Sequence, residues 1–232
     1  MAKKTLLCLH GALGTVQDFA PVANALAENF DIKLLNFSGH GTGTYWPKEF
    51  RIETFAQELE DFFKEHSLKE VAVFGYSMGG YVALYHKANF EDSPISHILT
   101  YGTKFDWSEE SVAKEIAKLD IVGIQTKVPH FAEELQRRHG ERWKQVLLST
   151  AHMMQNLQKL DGLSHEDLAE VNCPVIISRG SEDMMVTLKE SERASQHLFA
   201  GRYVEIEGAK HELSSVSPES ITQELKNFIY PQ

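Results

Sequence analysis

The residues best placed to do chemistry form the segment Gly75-Tyr76-Ser77-Met78-Gly79, between a predicted strand and a predicted helix. The strand is Val71-Ala72-Val73-Phe74, and the helix begins at Gly80. A serine between two glycines in this setting lies on a turn so tight that larger neighbours would collide. Such a turn presents its hydroxyl at the end of a sheet, where a base can reach it. The setting predicts that Ser77 is a nucleophile, although the five residues alone would be a common turn sequence.

A serine hydroxyl needs a base near neutral pH, and the base needs an acid to orient it. His211 is the predicted base, because it lies in a polar loop directly after the last predicted strand. The alternative for His211 is a solvated loop residue. The predicted acid is Asp183, in the loop after the fifth strand, with Glu182 and Asp106 as competitors. The order serine, aspartate, histidine is the one expected for a nucleophile turn on such a sheet.

The other histidines are not predicted to be catalytic. The chain contains 11 histidines in all, so the residue type alone indicates little. Five fall in or beside helical patterns and are expected at the surface or in packing. They are His66, His86, His139, His165 and His197.

The glycines of His10-Gly11-Ala12-Leu13-Gly14, directly after the first strand, leave backbone N–H groups free beside the serine. Donors fixed in advance stabilise the charge that a carbonyl oxygen gains during acyl transfer. We expect these donors to be the N–H groups of Ala12 and Met78. A phosphate-binding loop is the competing interpretation, but no lysine–serine/threonine pair follows and the GxGxxG spacing is absent.

Along the rest of the chain, apolar strands alternate with helical spacings, which predicts an α/β fold. We expect a mostly parallel sheet of about six strands with helices on both faces. The predicted strands are Thr5–Leu9, Ile32–Phe37, Val71–Phe74, Ile95–Tyr101, Pro174–Ser178 and Arg202–Ile206. From about Lys104 to Glu170 the alternation stops, and only helical spacings follow. The predicted organisation is a core of residues 1–103 and 171–232, with 104–170 as a helical cap insertion.

Bulk properties exclude several functions for this chain of 232 residues. A net charge of −10 opposes binding to nucleic acid. The apolar segment after Met1-Ala2-Lys3-Lys4 is too short and polar for a signal peptide, and no run approaches a membrane span. Cys8 and Cys173 are predicted to be buried thiols, which favours a reducing, cytoplasmic location. They have no CxxC spacing, so a metal site is not expected.

These motifs resemble the α/β-hydrolase fold family, in particular its compact serine hydrolases with a small helical cap. The matching pieces are His10-Gly11, Ser38-Gly39-His40-Gly41, the turn at Ser77, Gly180 to Asp183, and His211. The chain begins where the family's third strand would start, so the first two strands are expected to be missing. The family often has an arginine at the position of Ser38. His40 is expected to be a structural turn residue.

The resemblance implies that Ser77, His211 and Asp183 form a catalytic triad that hydrolyses a small or medium carboxylic ester through an acyl-enzyme. It implies no metal or organic cofactor, a small-molecule acyl substrate, and a monomer or homodimer. Cap and loop residues are expected to supply an apolar pocket. The candidates are Met78, Phe105, Trp107, Trp143, Met153, Met154, Met184 and Met185.

Other functions remain open on the same residues, because a fold does not fix a reaction. They include the hydrolysis of a carbon–carbon bond, the hydrolysis of an amide and a perhydrolase-like reaction. Another is a lyase of the menaquinone-pathway type, which should have arginines in its pocket, with Arg137, Arg138 and Arg142 as candidates. A function of a different class is a receptor that turns over a small molecule slowly.

Overall fold

A six-stranded sheet forms the centre of the protein. The computed structural model describes residues 3–43 and 45–231, without the side chains of residues 160 and 161. The strands are β1 (Thr5–Leu9), β2 (Asp31–Leu35), β3 (Val71–Tyr76), β4 (Ile95–Tyr101), β5 (Pro174–Gly180) and β6 (Ala200–Ile206). They pair in parallel in the order β2-β1-β3-β4-β5-β6. This confirms the predicted α/β sheet.

Both faces of the sheet are buried, because alternate side chains of each strand point to opposite sides. Leu7 and Leu9 of β1 join one apolar cluster, while Leu6 and Cys8 join the cluster on the other face. A parallel sheet covered on both faces requires strands that are apolar nearly throughout. Strands β1 and β3 have this composition.

Five helices cover the two faces of the sheet. They are α1 (Ala20–Asn29), α2 (Ile52–Glu65), α3 (Met78–Asn89), α9 (Leu188–His197) and α10 (Pro218–Ile229). Helices α1 and α10 contact each other on one face, and α2 and α3 contact each other on the other. Ser217 caps α10 by accepting the Ser220 N–H, and Pro218 takes the first helical position.

The insertion after β4 is helical, as predicted. It contains α4 (Glu109–Ala117), α5 (Ile121–Lys127), α6 (Pro129–His139), α7 (Trp143–Asn156) and α8 (His165–Ala169). Part of it has an apolar interior of its own, in which Trp143 and Leu147 of α7 pack with Leu135 of α6. We call residues 104–170 the cap from here on.

Strand β2 ends two residues earlier than predicted, at Leu35. The backbone N–H of Phe37 does not extend the sheet but donates to the Nε2 atom of His10 at 3.1 Å. A side chain therefore replaces a strand partner at this point. Strands β3 and β5 run two residues further than predicted, to Tyr76 and Gly180.

Both cysteines are unpaired and buried. Burial raises the pKa of the Cys173 thiol to about 11, so it remains protonated at neutral pH. Among the residues described, no helix is both long enough and apolar enough to cross a bilayer.

Candidate active site

The site lies where the direction of the sheet order changes. Strand β1 has β2 on one side and β3 on the other, so the chain leaves β1 and β3 toward opposite faces. In open α/β sheets, ligands bind in the crevice beyond the carboxyl ends of two such strands. The loop His10–Gly14 follows β1, and Ser77 follows β3.

Ser77 lies on a strained turn between β3 and α3. Its φ of 50° and ψ of −114° are dihedrals that residues other than glycine rarely adopt. Hydrogen bonds hold the strained peptide on both sides. The Ser77 N–H donates to the Tyr101 carbonyl at 2.8 Å, and the Ser77 carbonyl accepts from the Thr103 hydroxyl at 2.9 Å. The hydroxyl is thus presented in one direction.

The two glycines that flank this turn are required by close backbone contacts, as the sequence predicted. A Cβ atom on Gly75 would lie 2.4 Å from the Gly80 Cα, and one on Gly79 would lie 2.1 Å from the Leu9 carbonyl oxygen. Neither gap can take a side chain. The helix after Ser77 therefore packs directly on the strands.

Asp183 and His211 meet after a separation of 28 residues. The His211 Nδ1 atom lies 2.8 Å from Asp183 Oδ2. The other Asp183 oxygen, Oδ1, accepts the N–H groups of Met185 and Val186 at 2.8 and 2.9 Å. Both oxygens of this fully buried carboxylate are therefore occupied.

The charge state of Asp183 determines the tautomer of His211. Burial would raise the Asp183 pKa, but the His211 ring and the two backbone N–H groups outweigh it and hold this pKa below its usual value. The carboxylate is ionised at neutral pH, so Nδ1–H of His211 donates to it and Nε2 keeps its lone pair. The competitors Glu182 and Asp106 are both exposed, and neither contacts His211.

Arg179, near the end of β5, holds the Asp183 loop in shape. Its Nε donates to the Val186 carbonyl at 3.1 Å and its terminal nitrogens to the Asp183 carbonyl and the Glu205 carboxylate. The sequence analysis did not identify this residue. The available signal in the sequence was an arginine near the end of an apolar strand, because an arginine buried at such a position needs partners.

Ser77 and His211 line one cavity of 440 Å³. The described residues contain no hydrogen bond between the Ser77 hydroxyl and the His211 ring. In ligand-free sites such bonds are often long and form only with substrate present. Gly102 allows the His211 ring to lie close to the sheet, because a Cβ atom at residue 102 would lie 3.2 Å from that ring.

The two predicted charge-stabilising donors lie beside Ser77. Ala12 lines the same cavity, and Met78 is the first residue of α3, directly after Ser77. Within the described chain, neither backbone N–H donates to a protein acceptor. The turn that holds Ala12 is closed by the Gly14 N–H, which donates to the Gly11 carbonyl at 3.1 Å.

A second, inner pocket of 30 Å³ adjoins Ser77. Ala12, Ser77, Met154 and Met185 line both spaces, so the serine lies at their junction. Of the predicted pocket residues, Met184 lines the outer cavity, while Met78, Met153 and Trp107 line the inner pocket.

Two predicted pocket residues lie outside these spaces. Trp143 is buried in the interior of the cap, because apolar partners surround it there. Phe105 lines a separate cavity on the far side of Trp107. In a helical segment, an aromatic residue gives the same pattern whether it faces a pocket or a core.

Comparison with known proteins gives the fold. A model of the alpha/beta hydrolase fold matches residues 4–115. The solved structure of NosK from Streptomyces actuosus superposes with a TM-score of 0.84 at 22% identity, covering 98% of this chain and 97% of that one. The chain has the α/β-hydrolase fold.

Relatives of this chain carry names for different reactions. The 3-oxoadipate enol-lactonase 1 of Acinetobacter baylyi is 22% identical over 237 residues, covering 96% of this chain and 88% of the relative. The 2-succinyl-6-hydroxy-2,4-cyclohexadiene-1-carboxylate synthase of Yersinia enterocolitica is 27% identical over 109 residues. That match covers 47% of this chain but only 39% of the synthase.

His139 of the cap joins two loops of the core. Its Nε2–H donates to the Leu13 carbonyl at 2.9 Å, and its Nδ1 accepts the Gly41 N–H at 2.9 Å. Next to it, Arg138 forms an ion pair of 2.8 Å with Asp18. His139 is buried, as the sequence predicted for a packing residue. Its link to the Ala12 loop was not predicted, since the contact spans 126 residues.

Two further buried histidines support these loops in neutral form. His10 accepts the Phe37 N–H at Nε2, and its Nδ1–H donates to the Gly11 carbonyl at 2.8 Å. Burial lowers the His10 pKa to about 4. His40 stacks on Phe50, and burial also holds its pKa well below the usual value. These contacts agree with the structural role predicted for His40.

Ser38, the departure from the family pattern, has a carboxylate partner. Its N–H donates to one oxygen of Glu58 at 2.9 Å, and its hydroxyl donates to the other. No set of three His, Cys, Asp or Glu residues within the described chain is arranged to hold a metal ion.

Proposed function

We propose that this protein is a serine hydrolase that cleaves a small or medium carboxylic ester through an acyl-enzyme. Ser77 is the nucleophile, His211 the base and Asp183 the orienting acid. One observation carries the proposal. Ser77, on its strained turn, lines the same cavity as His211, and the Nδ1 atom of His211 is bound by the buried Asp183 carboxylate.

In the first half of the reaction, Nε2 of His211 accepts the Ser77 proton while Oγ attacks the ester carbonyl. Asp183 stabilises the imidazolium that forms, because its ionised carboxylate accepts Nδ1–H. When the tetrahedral intermediate collapses, the imidazolium returns the proton to the leaving alkoxide. The products are an alcohol and an ester between Ser77 and the acyl group.

In the second half, His211 accepts a proton from water, and the resulting hydroxide attacks the acyl-enzyme. Ser77 leaves with that proton and the acid is released. In both halves the carbonyl oxygen becomes negative, and the unpaired N–H groups of Ala12 and Met78 are available to it. Such a donor typically lowers the barrier by about 3 kcal/mol. The helix dipole of α3 adds to the effect at Met78.

Two features favour an ester over the other reactions that this triad performs elsewhere. The relative whose alignment spans 96% of the chain is named as a lactonase, and a lactone is a cyclic ester. The lyase alternative requires arginines near the serine. Arg137, Arg138 and Arg142 do not line either space beside Ser77, and Arg138 is paired with Asp18.

Steady turnover of p-nitrophenyl acetate and butyrate tests the proposal. We expect continuous release of p-nitrophenol by the wild type and loss of at least 99% of it in Ser77→Ala. A fluorophosphonate probe should label the wild type but not Ser77→Ala. Equal labelling of the two would refute the nucleophile assignment.

The same assay separates an esterase from a slow receptor. A receptor would release about one equivalent of p-nitrophenol per protein and then stop. Mass spectrometry would show a persistent acyl group on Ser77. For the esterase, the acyl-enzyme should appear only transiently, during the first turnovers.

A further inference from the structure

The inner pocket beside Ser77 contains one charged side chain, that of Lys104, among apolar neighbours. Its apolar wall includes Ile52, Met153, Met154 and Leu157. Lys104 is 6% exposed. Burying an ammonium group costs several kcal/mol unless its hydrogen bonds are replaced, so its presence here calls for a ligand or a full set of partners.

The partners of Lys104 are incomplete. Its Nζ atom donates to the Met185 carbonyl at 3.3 Å. Its only ion pair among the described residues is with Glu190, at 3.6 Å, which is longer than a hydrogen bond. An ammonium group has three donors. Lys104 therefore has donor capacity left for a group in the pocket.

Trp107 also lines the inner pocket, as well as the separate cavity beyond it. Its Nε1–H is buried without a hydrogen-bond acceptor in the part of the chain described. The Lys104 Nζ lies 5.9 Å from the centre of the indole ring. Unpaired buried donors are rare in native proteins, and a bound ligand is one explanation for them.

The charge of Lys104 is already balanced by Glu190. The Glu190 carboxylate is itself well held, because it also accepts the Phe105 and Thr187 N–H groups at 3.0 Å. A second carboxylate in this dry pocket would leave the group with a net negative charge, at a large desolvation cost. An uncharged oxygen acceptor satisfies the free donors without that cost.

We propose that the inner pocket binds the acyl half of the substrate, and that Lys104 and Trp107 select a short acyl group bearing an uncharged oxygen acceptor. The acceptor is an oxo, ether or hydroxyl oxygen one or two carbons beyond the ester carbonyl. This inference rests on the proposed ester hydrolysis at Ser77. The leaving group then occupies the outer cavity of 440 Å³.

The size of the pocket limits the acyl group. A volume of 30 Å³ holds about two water molecules, so only a few heavy atoms fit beyond the carbonyl. Four methionines and a leucine can adjust the wall slightly. Long unbranched acyl chains are therefore expected to be poor substrates.

Competition experiments with one reporter ester test the inference. Methyl butanoate, methyl methoxyacetate and monomethyl malonate are used as competitors of p-nitrophenyl acetate hydrolysis. The first two have equal numbers of heavy atoms and differ by an ether oxygen. We expect a roughly tenfold lower inhibition constant for methyl methoxyacetate, the effect of a hydrogen bond to a charged donor. Monomethyl malonate should bind no better than methyl butanoate.

Two variants locate the preference. Lys104→Met combined with Glu190→Gln removes the donor while keeping the pocket uncharged, and should abolish the preference for the ether. Trp107→Phe keeps the ring, removes the N–H and should reduce the preference. Lys114→Met, an exposed lysine on α4, is the matched control and should retain it. Circular dichroism and a thermal melt report whether each variant folds.

The outcomes separate this inference from the proposed function. If p-nitrophenyl acetate is hydrolysed equally by wild type and Ser77→Ala, the proposed function fails. If wild type hydrolyses it through Ser77 but binds methyl butanoate as well as methyl methoxyacetate, only the inference fails. Tighter binding of monomethyl malonate overturns the uncharged acceptor, and an ether preference that persists in the Lys104 variant overturns the role of that residue.

Discussion

Replacing Asp183 by asparagine tests the tautomer argument, because the two sides of this carboxylate have different partners. Oδ1 accepts two backbone N–H groups, so the amide oxygen of asparagine must take this side. The amide NH₂ then faces His211 Nδ1, where the carboxylate oxygen accepted a proton at 2.8 Å. Two donors cannot face each other. The ring must therefore carry its proton on Nε2, facing Ser77, where it cannot act as a base.

The expected loss follows from this tautomer change. A wrong tautomer in a serine–histidine–aspartate triad lowers kcat by about 10⁴-fold, which corresponds to about 5.5 kcal/mol of barrier. The protein should remain folded, because both backbone hydrogen bonds to the side chain persist and Arg179 still holds the loop. We expect the thermal midpoint to change by only a few degrees.

The assay is kcat for p-nitrophenyl butyrate at saturation, with Glu182→Gln as the matched control. Glu182 is the adjacent carboxylate, is exposed and lines the same outer cavity without contacting His211. Its variant should keep kcat within about threefold of the wild type, the range of a modest change in surface charge. A kcat for Asp183→Asn within tenfold of the wild type would refute the reasoning. So would an equal loss in both variants.

Three further variants test other parts of the structure. Gly102→Ala should lower kcat ten- to a hundredfold, because its Cβ would lie 3.2 Å from the His211 ring at a φ of +65°. The matched control is Gly43→Ala, which should leave kcat unchanged because a Cβ there meets nothing within 4 Å. Burial holds the His10 pKa at about 4, below its value of about 6.5 in the unfolded chain. The contribution of neutral His10 to the free energy of unfolding is therefore complete above pH 6.5 and declines as pH falls toward 4. Urea unfolding at pH 7.5 and pH 5 should show this decline, and His10→Gln should reduce it; an unchanged pH dependence would contradict the burial argument. The buried Thr150 hydroxyl has no hydrogen-bond partner among the residues that the structure describes. Thr150→Val should therefore keep the free energy of unfolding or raise it by up to about 1 kcal/mol, and a loss above 1 kcal/mol in urea unfolding would show that the hydroxyl is paired.

The sequence predicted the sheet and the positions of Ser77, Asp183 and His211 because each follows from a local pattern. Strand composition identifies the strand, and the loop directly after a parallel strand lies at one edge of the sheet. Asp183 and His211 could therefore be placed near each other without knowing any contact between them. The flanking glycines of Ser77 added the geometry of the turn.

The supporting residues could not be predicted in the same way. His139 contacts Leu13 across 126 residues, and helical periodicity indicates that it is buried without indicating what it meets. Lys104 reads as the first charged residue of a polar insertion, yet it is buried with Glu190, 86 positions later. The end of β2 was also mispredicted, because a histidine side chain takes the hydrogen bond that a strand neighbour would otherwise make.

The contact of His139 with Leu13 has a consequence for how ligands enter. Swinging the cap away as a hinged door would break the hydrogen bonds of His139 and the ion pair between Arg138 and Asp18. It would also release the loop that carries the Ala12 N–H, so moving the cap away would displace this donor from the site. Entry is instead expected through the mouth of the outer cavity, where Met184 is 87% exposed. We therefore expect the cap to stay in place on the core during turnover, without a large domain motion.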